Sequence, residues 1–383
     1  MATRFSLLII AAAIAIGLLA GRPVVAQTVE TPATNAILID MATGAVLFEK
    51  EADVPMPPAS MSKLMTLLMV FERLKDGSIA LDDTMRVSEA AWRMGGSRMF
   101  VEHASRVTVE DLLRGVIIQS GNDASVVFAE GLSGSEQAFA EEMNQRAAEI
   151  GLTRSTFRNA TGWPDPEHRT SARDLATIAA RIIREHPEYY EIFGEKEFTY
   201  NNIKQGNRNP LLYKNIGADG LKTGHTEESG YGLVASAERK GRRLILVVNG
   251  LESVNQRSQE SERLLDMGFR DFNNYPLFVA NETIEDAQVW LGAEATVPLV
   301  LEEKVLLTMS RKARRNMTVT VAYESPISAP IAQGARLAEL RIEAPNMDPV
   351  IRDLVAGEAV DRLGFVGRLG AAISHIVWGT QSP

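Results

Sequence analysis

Cysteine is absent from all 383 residues, so no disulfide holds this fold and no thiol can serve as nucleophile or metal ligand. Histidine is scarce. His103, His168, His186, His225 and His375 show no H-E-x-x-H or related spacing, and neither G-x-x-x-x-G-K-[ST] nor G-x-G-x-x-G occurs. Metal and nucleotide chemistry therefore have no sequence support, and no cofactor is expected. A positive surplus is missing too: 40 Lys plus Arg face 49 Asp plus Glu, a formal charge of -9, which argues against nucleic acid as a partner. What is present is apolar material, 45% of the chain, enough for one large domain with a real core and a smaller companion.

The first 26 residues read as an export signal rather than as part of the fold. Arg4 precedes an apolar run from Phe5 to Ala20, followed by Gly21-Arg22-Pro23 and the small-residue site Val24-Val25-Ala26, which places cleavage before Gln27. The run is short for a membrane span. Without Arg4 and Arg22 the formal charge moves from -9 to -9 - 2 = -11. An exported chain without cysteine must be held by its core alone.

Ala36–Asp40, Thr43-Gly44 and Ala45–Phe48 read as a β-hairpin. Helical patterns follow. One begins near Ser60 and stops at Asp76-Gly77, and another runs from Val109 to Gln119 behind Thr108 with Asp111 three residues on, close to a capping box. Further helices are expected over Asp123–Leu132, Glu136–Ile150 and Ser171–Glu185. Strand patterns return at Leu221–Gly224, Tyr231–Ala237 and Arg243–Val248, with a Lys240-Gly241 turn, and Arg257–Phe272 reads as a covering helix. Strands at both ends with helices between imply one mostly antiparallel sheet wrapped by helices.

After Asn273-Asn274-Tyr275-Pro276 the pattern changes to short alternating runs at Val297–Leu301, Val305–Met309, Met317–Tyr323 and Leu337–Ile342, a small β domain. From Val360 to Trp378, Leu363, Val366, Leu369, Ile373 and Val377 share one helical face, with Arg362 off the pattern. Two readings stand equally for this amphipathic helix: an interfacial membrane helix anchored by Phe365 and Trp378, or a helix packed on protein. The expected division is residues 1–26 as signal, 27–274 as a helix-and-sheet domain, 275–350 as a β-rich domain and 351–383 as an amphipathic segment.

Three short motifs carry chemistry. Ser60-Met61-Ser62-Lys63 puts Ser60 and Lys63 one helical turn apart on the same face, with Ser62 pointing elsewhere. A serine hydroxyl needs a base, and an amine serves only when burial or a nearby cation keeps it neutral. Ser60 at a helix start would also meet free N–H groups suited to an oxyanion. Ser120-Gly121-Asn122 lies between two expected helices, where Ser120 can relay a proton and Asn122 can bind a peptide bond. Lys222-Thr223-Gly224 lies on an expected strand. There Lys222 would keep Lys63 neutral and attract a carboxylate, Thr223 would offer that carboxylate a hydroxyl, and Gly224 would leave room for substrate along the strand.

In this order the motifs form the signature of active-site-serine penicillin-recognising enzymes. With P-A-S-M-S-K at 58–63, S-G-N-D at 120–123, D-G-L-K-T-G-H-T at 219–226 and G-Y-G-L-V-A-S-A at 230–237, the chain resembles the low-molecular-mass penicillin-binding proteins of the serine D-alanyl-D-alanine carboxypeptidase family. The resemblance implies an α+β fold: a penicillin-binding, β-lactamase-like transpeptidase domain, then a small all-β domain and a C-terminal amphipathic helix. It implies that Ser60 attacks the bond between the last two D-alanines of a peptidoglycan stem pentapeptide and that Lys63 is the base for acylation. It places Ser120 between the two lysines as a relay and the oxyanion between the N–H groups of Ser60 and His225. Arg208, in N-R-N-P-L-L, aligns beside the substrate carboxylate; from sequence alone a solvated loop cation is an equal reading. β-Lactam antibiotics are implied as covalent inhibitors, and the periplasm, with the outer face of the inner membrane, as the location. Asp174, three residues after Ser171, reads as a capping acid. Trp163 stands where the family usually has a leucine-like residue, so the loop from Trp163 to Arg169 departs from the pattern.

The rivals share the scaffold. A class A-like β-lactamase would need a deacylating glutamate with a nearby asparagine, which Asp165-Pro166-Glu167-His168-Arg169 does not supply. A D,D-endopeptidase and a serine esterase remain as alternative activities. A non-catalytic murein-binding module has no use for Lys63 beside Ser60.

Overall fold

The computed structural model describes residues 29–364 and Gly367. The signal expected at 1–26, and the amphipathic helix beyond residue 364 apart from Gly367, lie outside the described residues. Five strands form one sheet in the order Val46–Lys50, Asn35–Asp40, Arg242–Leu251, Gly230–Arg239, Ala218–Thr226. Every pairing in it is antiparallel. The N-terminal hairpin thus adds to strands two hundred residues later, as the sequence pattern requires.

The sheet is covered on both faces because its side chains alternate. Ile37, Ile245 and Val247 join the core shared with the helices. Their neighbours Leu38 and Leu244 approach Gly268 of the Val254–Asp271 helix so closely that a Cβ there would lie 2.7 Å from Leu38 and 2.8 Å from Leu244. On the first face lies Lys63–Lys75, a helix that buries Leu64 through Phe71 without interruption. A helix apolar on nearly all sides is a core helix; it carries Lys63 as its first residue. The Ala172–Glu185 helix packs between it and the sheet, and Val109–Ile117, Asn122–Ser133 and Glu136–Glu149 complete the helical layer. Thr108, Ser135, Ser171 and Ser253 each cap a helix by accepting an N–H three residues on.

Chain from Phe272 onward forms the β-rich part. Phe272–Phe278 pairs with Val305–Ser310, and a six-stranded sheet includes Thr283–Trp290, Thr296–Val300, Thr318–Ala322, Arg336–Glu343 and Val350–Ala356. Leu299, Leu340, Ile342 and Leu354 belong to its separate core. Two expected boundaries shift accordingly. The first strand starts at Phe272, directly after the covering helix ends at Asp271, so residue 275 falls inside it. Val350–Ala356 pairs with Arg336–Glu343, and bridges at Val360 and Arg362 carry the sheet connections past residue 350. Alternation in 350–356 is weak, with three exposed residues followed by three buried ones, which is why the sequence pattern missed it. The hairpin Glu197–Tyr200 with Ile203–Gly206 was missed for its polar composition. Among the described residues no helix is long and apolar enough to cross a membrane.

The two parts meet through polar contacts. Arg242 binds Asp40 at 2.7 Å and donates to the Phe272 carbonyl. Asn274 bonds both Asp40 and Thr308, and Thr308 meets Thr43 at 2.5 Å.

Candidate active site

Ser60 sits not in the α-helix but in a single 3-10 turn, Ala59–Ser62, that precedes it. The turn is wedged between two glycines. Ala59 adopts φ +48°; a Cβ on Gly162, itself at φ +74°, would lie 1.9 Å from the Ala59 carbonyl oxygen and 3.2 Å from Ser60 N. From the other side, a Cβ on Gly224 would lie 2.8 Å from the Pro58 carbonyl oxygen and 3.2 Å from Met61 N. Gly224 therefore makes room for the turn that carries Ser60, rather than only for substrate as the sequence suggested.

Lys63 is fully buried, and its amine has three neighbours. Nζ lies 2.8 Å from Ser60 Oγ, 2.7 Å from Asn122 Oδ1 and 2.5 Å from the Thr161 carbonyl oxygen. Asn122 spends its NH2 group on the Gly95 carbonyl at 2.8 Å, so its oxygen is the end that faces Lys63. Two of the three neighbours can therefore only accept. A neutral amine donates one hydrogen to each, and its lone pair is left facing the Ser60 hydroxyl. Burial, foremost, pushes the Lys63 pKa down to about 7; Arg208 lowers it further, and Asp123 and Glu136 oppose. Near pH 7 a large share of Lys63 is therefore neutral, the form of an amine that can accept a proton from a serine hydroxyl.

The second motif forms the facing wall. Ser120 stands at φ +60° in the bend between two helices and is nearly buried. Its Oγ accepts from Lys222 Nζ at 2.9 Å, and Lys222 also donates to the Thr223 carbonyl at 3.2 Å. Lys222 is driven well below the usual lysine pKa by burial and then by Lys63, Arg208 and Arg257. Two sequence expectations change here. Ser120 is hydrogen-bonded to Lys222, whereas the hydrogen-bond partners of Lys63 are Ser60, Asn122 and Thr161. Lys63 is depressed chiefly by its own desolvation, with Arg208 as the leading charge. Asp123, next to Asn122, accepts the N–H groups of Met99, Phe100 and Val101 and so shapes the adjoining loop.

Ser60, Ser120, Thr223, Gly224 and His225 line one open cleft of about 400 Å³. Arg208 lines the same cleft and donates to Ser97 Oγ. The His225 ring lies 3.9 Å from the ring of its cross-strand partner Tyr231. Behind Tyr231 stands Arg257, its guanidinium 5.7 Å from the ring centre. Burial pushes its pKa down to about 10, and its Nε has no hydrogen-bond partner. Of the other sequence-assigned residues, Lys63 bonds Ser60 and Asn122, and Lys222 bonds Ser120. Arg257, Ser97 and Thr161 were missed: a cation inside an expected helix, a serine in an unpatterned loop and a main-chain carbonyl leave no motif.

In the same turn as Ser60, Ser62 is buried and pairs with His168 Nε2 at 2.7 Å. The Arg158 N–H donates to His168 Nδ1 at 3.2 Å, so the ring proton resides on Nε2. Burial, foremost, pushes the His168 pKa down to about 4. Asp174 follows its capped position after Ser171 and also accepts from Arg154 N and Ser155 Oγ, a structural role. Among the described residues no cluster of His, Asp or Glu could hold a metal ion.

Residues 22–253 match the D-alanyl-D-alanine carboxypeptidase family, and residues 272–362 match the C-terminal domain of penicillin-binding protein 5. The D-alanyl-D-alanine carboxypeptidase DacC of Escherichia coli is 39% identical over 354 residues, covering 90% of this chain and 88% of the relative. Penicillin binding protein 5 from Haemophilus influenzae superimposes with a TM-score of 0.76 at 36% identity, over 87% of this chain and 98% of that structure. The carboxypeptidase DacD from Francisella tularensis does so with a TM-score of 0.78 at 28% identity, over 88% and 95%.

Proposed function

Because the chain belongs to the D-alanyl-D-alanine carboxypeptidase family and has its serine-type activity, we propose that Ser60 is the nucleophile, Lys63 the base and Ser120 the second proton carrier of that reaction. The observation that carries this reading is the 2.8 Å approach of the buried Lys63 Nζ to Ser60 Oγ, with Asn122 Oδ1 and the Thr161 carbonyl as its other neighbours. The substrate is the stem pentapeptide of peptidoglycan. Its terminal carboxylate lies toward Arg208 and Thr223, within the positive potential of Lys222, and Asn122, Gly224 and His225 border the peptide backbone.

Ser60 Oγ attacks the carbonyl carbon of the penultimate D-alanine while its proton passes to Lys63 Nζ. Negative charge gathers on the carbonyl oxygen between the N–H groups of Ser60 and His225. As the C–N bond breaks, the proton taken up by Lys63 is passed through Ser120 to the leaving amine, so that Lys63 is neutral again when free D-alanine departs. The remaining ester is cleaved by water, which returns the proton to Ser60. β-Lactams acylate Ser60 by the same route, and the slow step is then hydrolysis. Residues 27–271 form the catalytic domain, 272–362 the β-rich domain, and the chain acts in the periplasm, peripheral to the outer face of the inner membrane.

Mass analysis of pentapeptide muropeptides after incubation tests the reading. Loss of one alanine, absent in Ser60→Ala, is the expected result. Separation of cross-linked dimers without alanine release would replace it with an endopeptidase.

A further inference from the structure

We propose that Trp163 is a positioning residue that ties together the two acceptors orienting the Lys63 amine, an inference that rests on Lys63 as the base. Lys63 owes its lone-pair direction to the Thr161 carbonyl and the Asn122 amide oxygen, which come from segments far apart in sequence. Trp163 lies beside both segments. Its main chain belongs to the turn that presents Thr161: Asn159 Oδ1 accepts the N–H groups of Thr161, Gly162 and Trp163 at 3.1, 2.8 and 3.0 Å, and Asn159 Nδ2 donates to the Trp163 carbonyl at 3.1 Å.

Its ring reaches across to the loop that orients Asn122. A Cβ on Gly95 would lie 3.5 Å from the ring, and one on Gly96 would lie 3.1 Å from it and 2.9 Å from Asn122 Nδ2. The space a Gly96 side chain would take, at φ +73°, is thus bordered by both the indole and the Asn122 amide. The Gly95 carbonyl accepts the Asn122 NH2 group at 2.8 Å, and the Ser97 carbonyl accepts the Asn122 N–H at 2.7 Å. A Gly-Gly backbone has no side chains with which to hold itself. The indole supplies the missing packing, so the orientation of Asn122 and the carbonyl of Thr161 move as one unit. With Trp163 45% exposed, its ring is spent on this contact rather than on filling the core.

The test is the acylation rate constant with a fluorescent penicillin, measured across pH for Trp163→Ala, Trp163→Phe, Asn122→Ala and the Trp163→Ala, Asn122→Ala double variant, with urea midpoints alongside. Trp163→Ala should slow acylation roughly tenfold, by the misplacement of reacting groups, at an unchanged urea midpoint. Trp163→Phe should recover most of the rate. The double variant should be no slower than Asn122→Ala alone, because both changes remove the same orientation. Acylation by Trp163→Ala at the parent rate, or losses that multiply in the double variant, would overturn the proposal. An adduct that persists in Ser60→Ala would instead remove the nucleophile assignment on which it rests.

Discussion

The Ser62 hydroxyl and His168 Nε2 lie 2.7 Å apart, both buried, beside the turn that carries Ser60. The bond anchors the middle of the Ser60–Lys63 tetrapeptide to the loop that carries Trp163, and the Arg158 N–H donated to Nδ1 needs the imidazole neutral with its proton on Nε2.

Stability should therefore fall in acid through His168. Its pKa is about 4 in the folded chain against 6.5 unfolded, so between these values the unfolded state binds the extra proton and stability rises with pH. The contribution is complete above pH 6.5, declines as pH falls toward 4, and amounts to about 3 kcal/mol at most over that window. Urea unfolding at pH 7, 5.5 and 4.5 should show this decline, and His168→Gln should flatten it. An equal slope in both proteins would exclude His168 as its source.

Arg208 sets part of the acylation pH profile. Because Arg208 is the leading charge that lowers Lys63, Arg208→Ala should raise the Lys63 pKa and move the acidic limb of acylation upward, by roughly half a pH unit. Stopped-flow acylation from pH 5 to 9 reads the limb directly. A lower plateau with an unmoved limb would mean that Arg208 only binds substrate.

Gly162 should tolerate no side chain. A Cβ there would sit 1.9 Å from the Ala59 carbonyl, and φ +74° is itself unfavourable for alanine. Gly162→Ala should cost about 3 kcal/mol in urea unfolding and slow acylation by displacing Ser60. A variant with the parent's midpoint and rate would show that the turn can yield.

Asp40 is completely buried and paired with Arg242, where the catalytic and β-rich parts meet. Arg242→Ala leaves that carboxylate with only weaker hydrogen bonds and should destabilise the chain by about 3 to 5 kcal/mol. Asp40→Asn in the same background should restore part of the loss, since it removes the stranded charge. Differential scanning calorimetry of the single and double variants checks both statements.

The sequence alone determined the reagents and the frame. Ser60, Lys63, Ser120, Asn122, Lys222 and Thr223 declare themselves because each is a side chain with fixed chemistry at a fixed local spacing. The hairpin, the main helices and the late strands follow from periodicities of 2 and 3.6, which are also local. Only the tertiary structure decided how those reagents are aimed. Lys63 takes its direction from Asn122, fifty-nine positions away, and from the Thr161 carbonyl, ninety-eight positions away. Ser120 turns to Lys222, Gly224 accommodates the turn beneath Ser60, and His168 and Trp163 brace it from one loop. A main-chain carbonyl carries no residue signature, an irregular loop carries no period, and desolvation exists only after the core has closed around the amine; so the lowered pKa of Lys63 belongs to the fold and not to the motif.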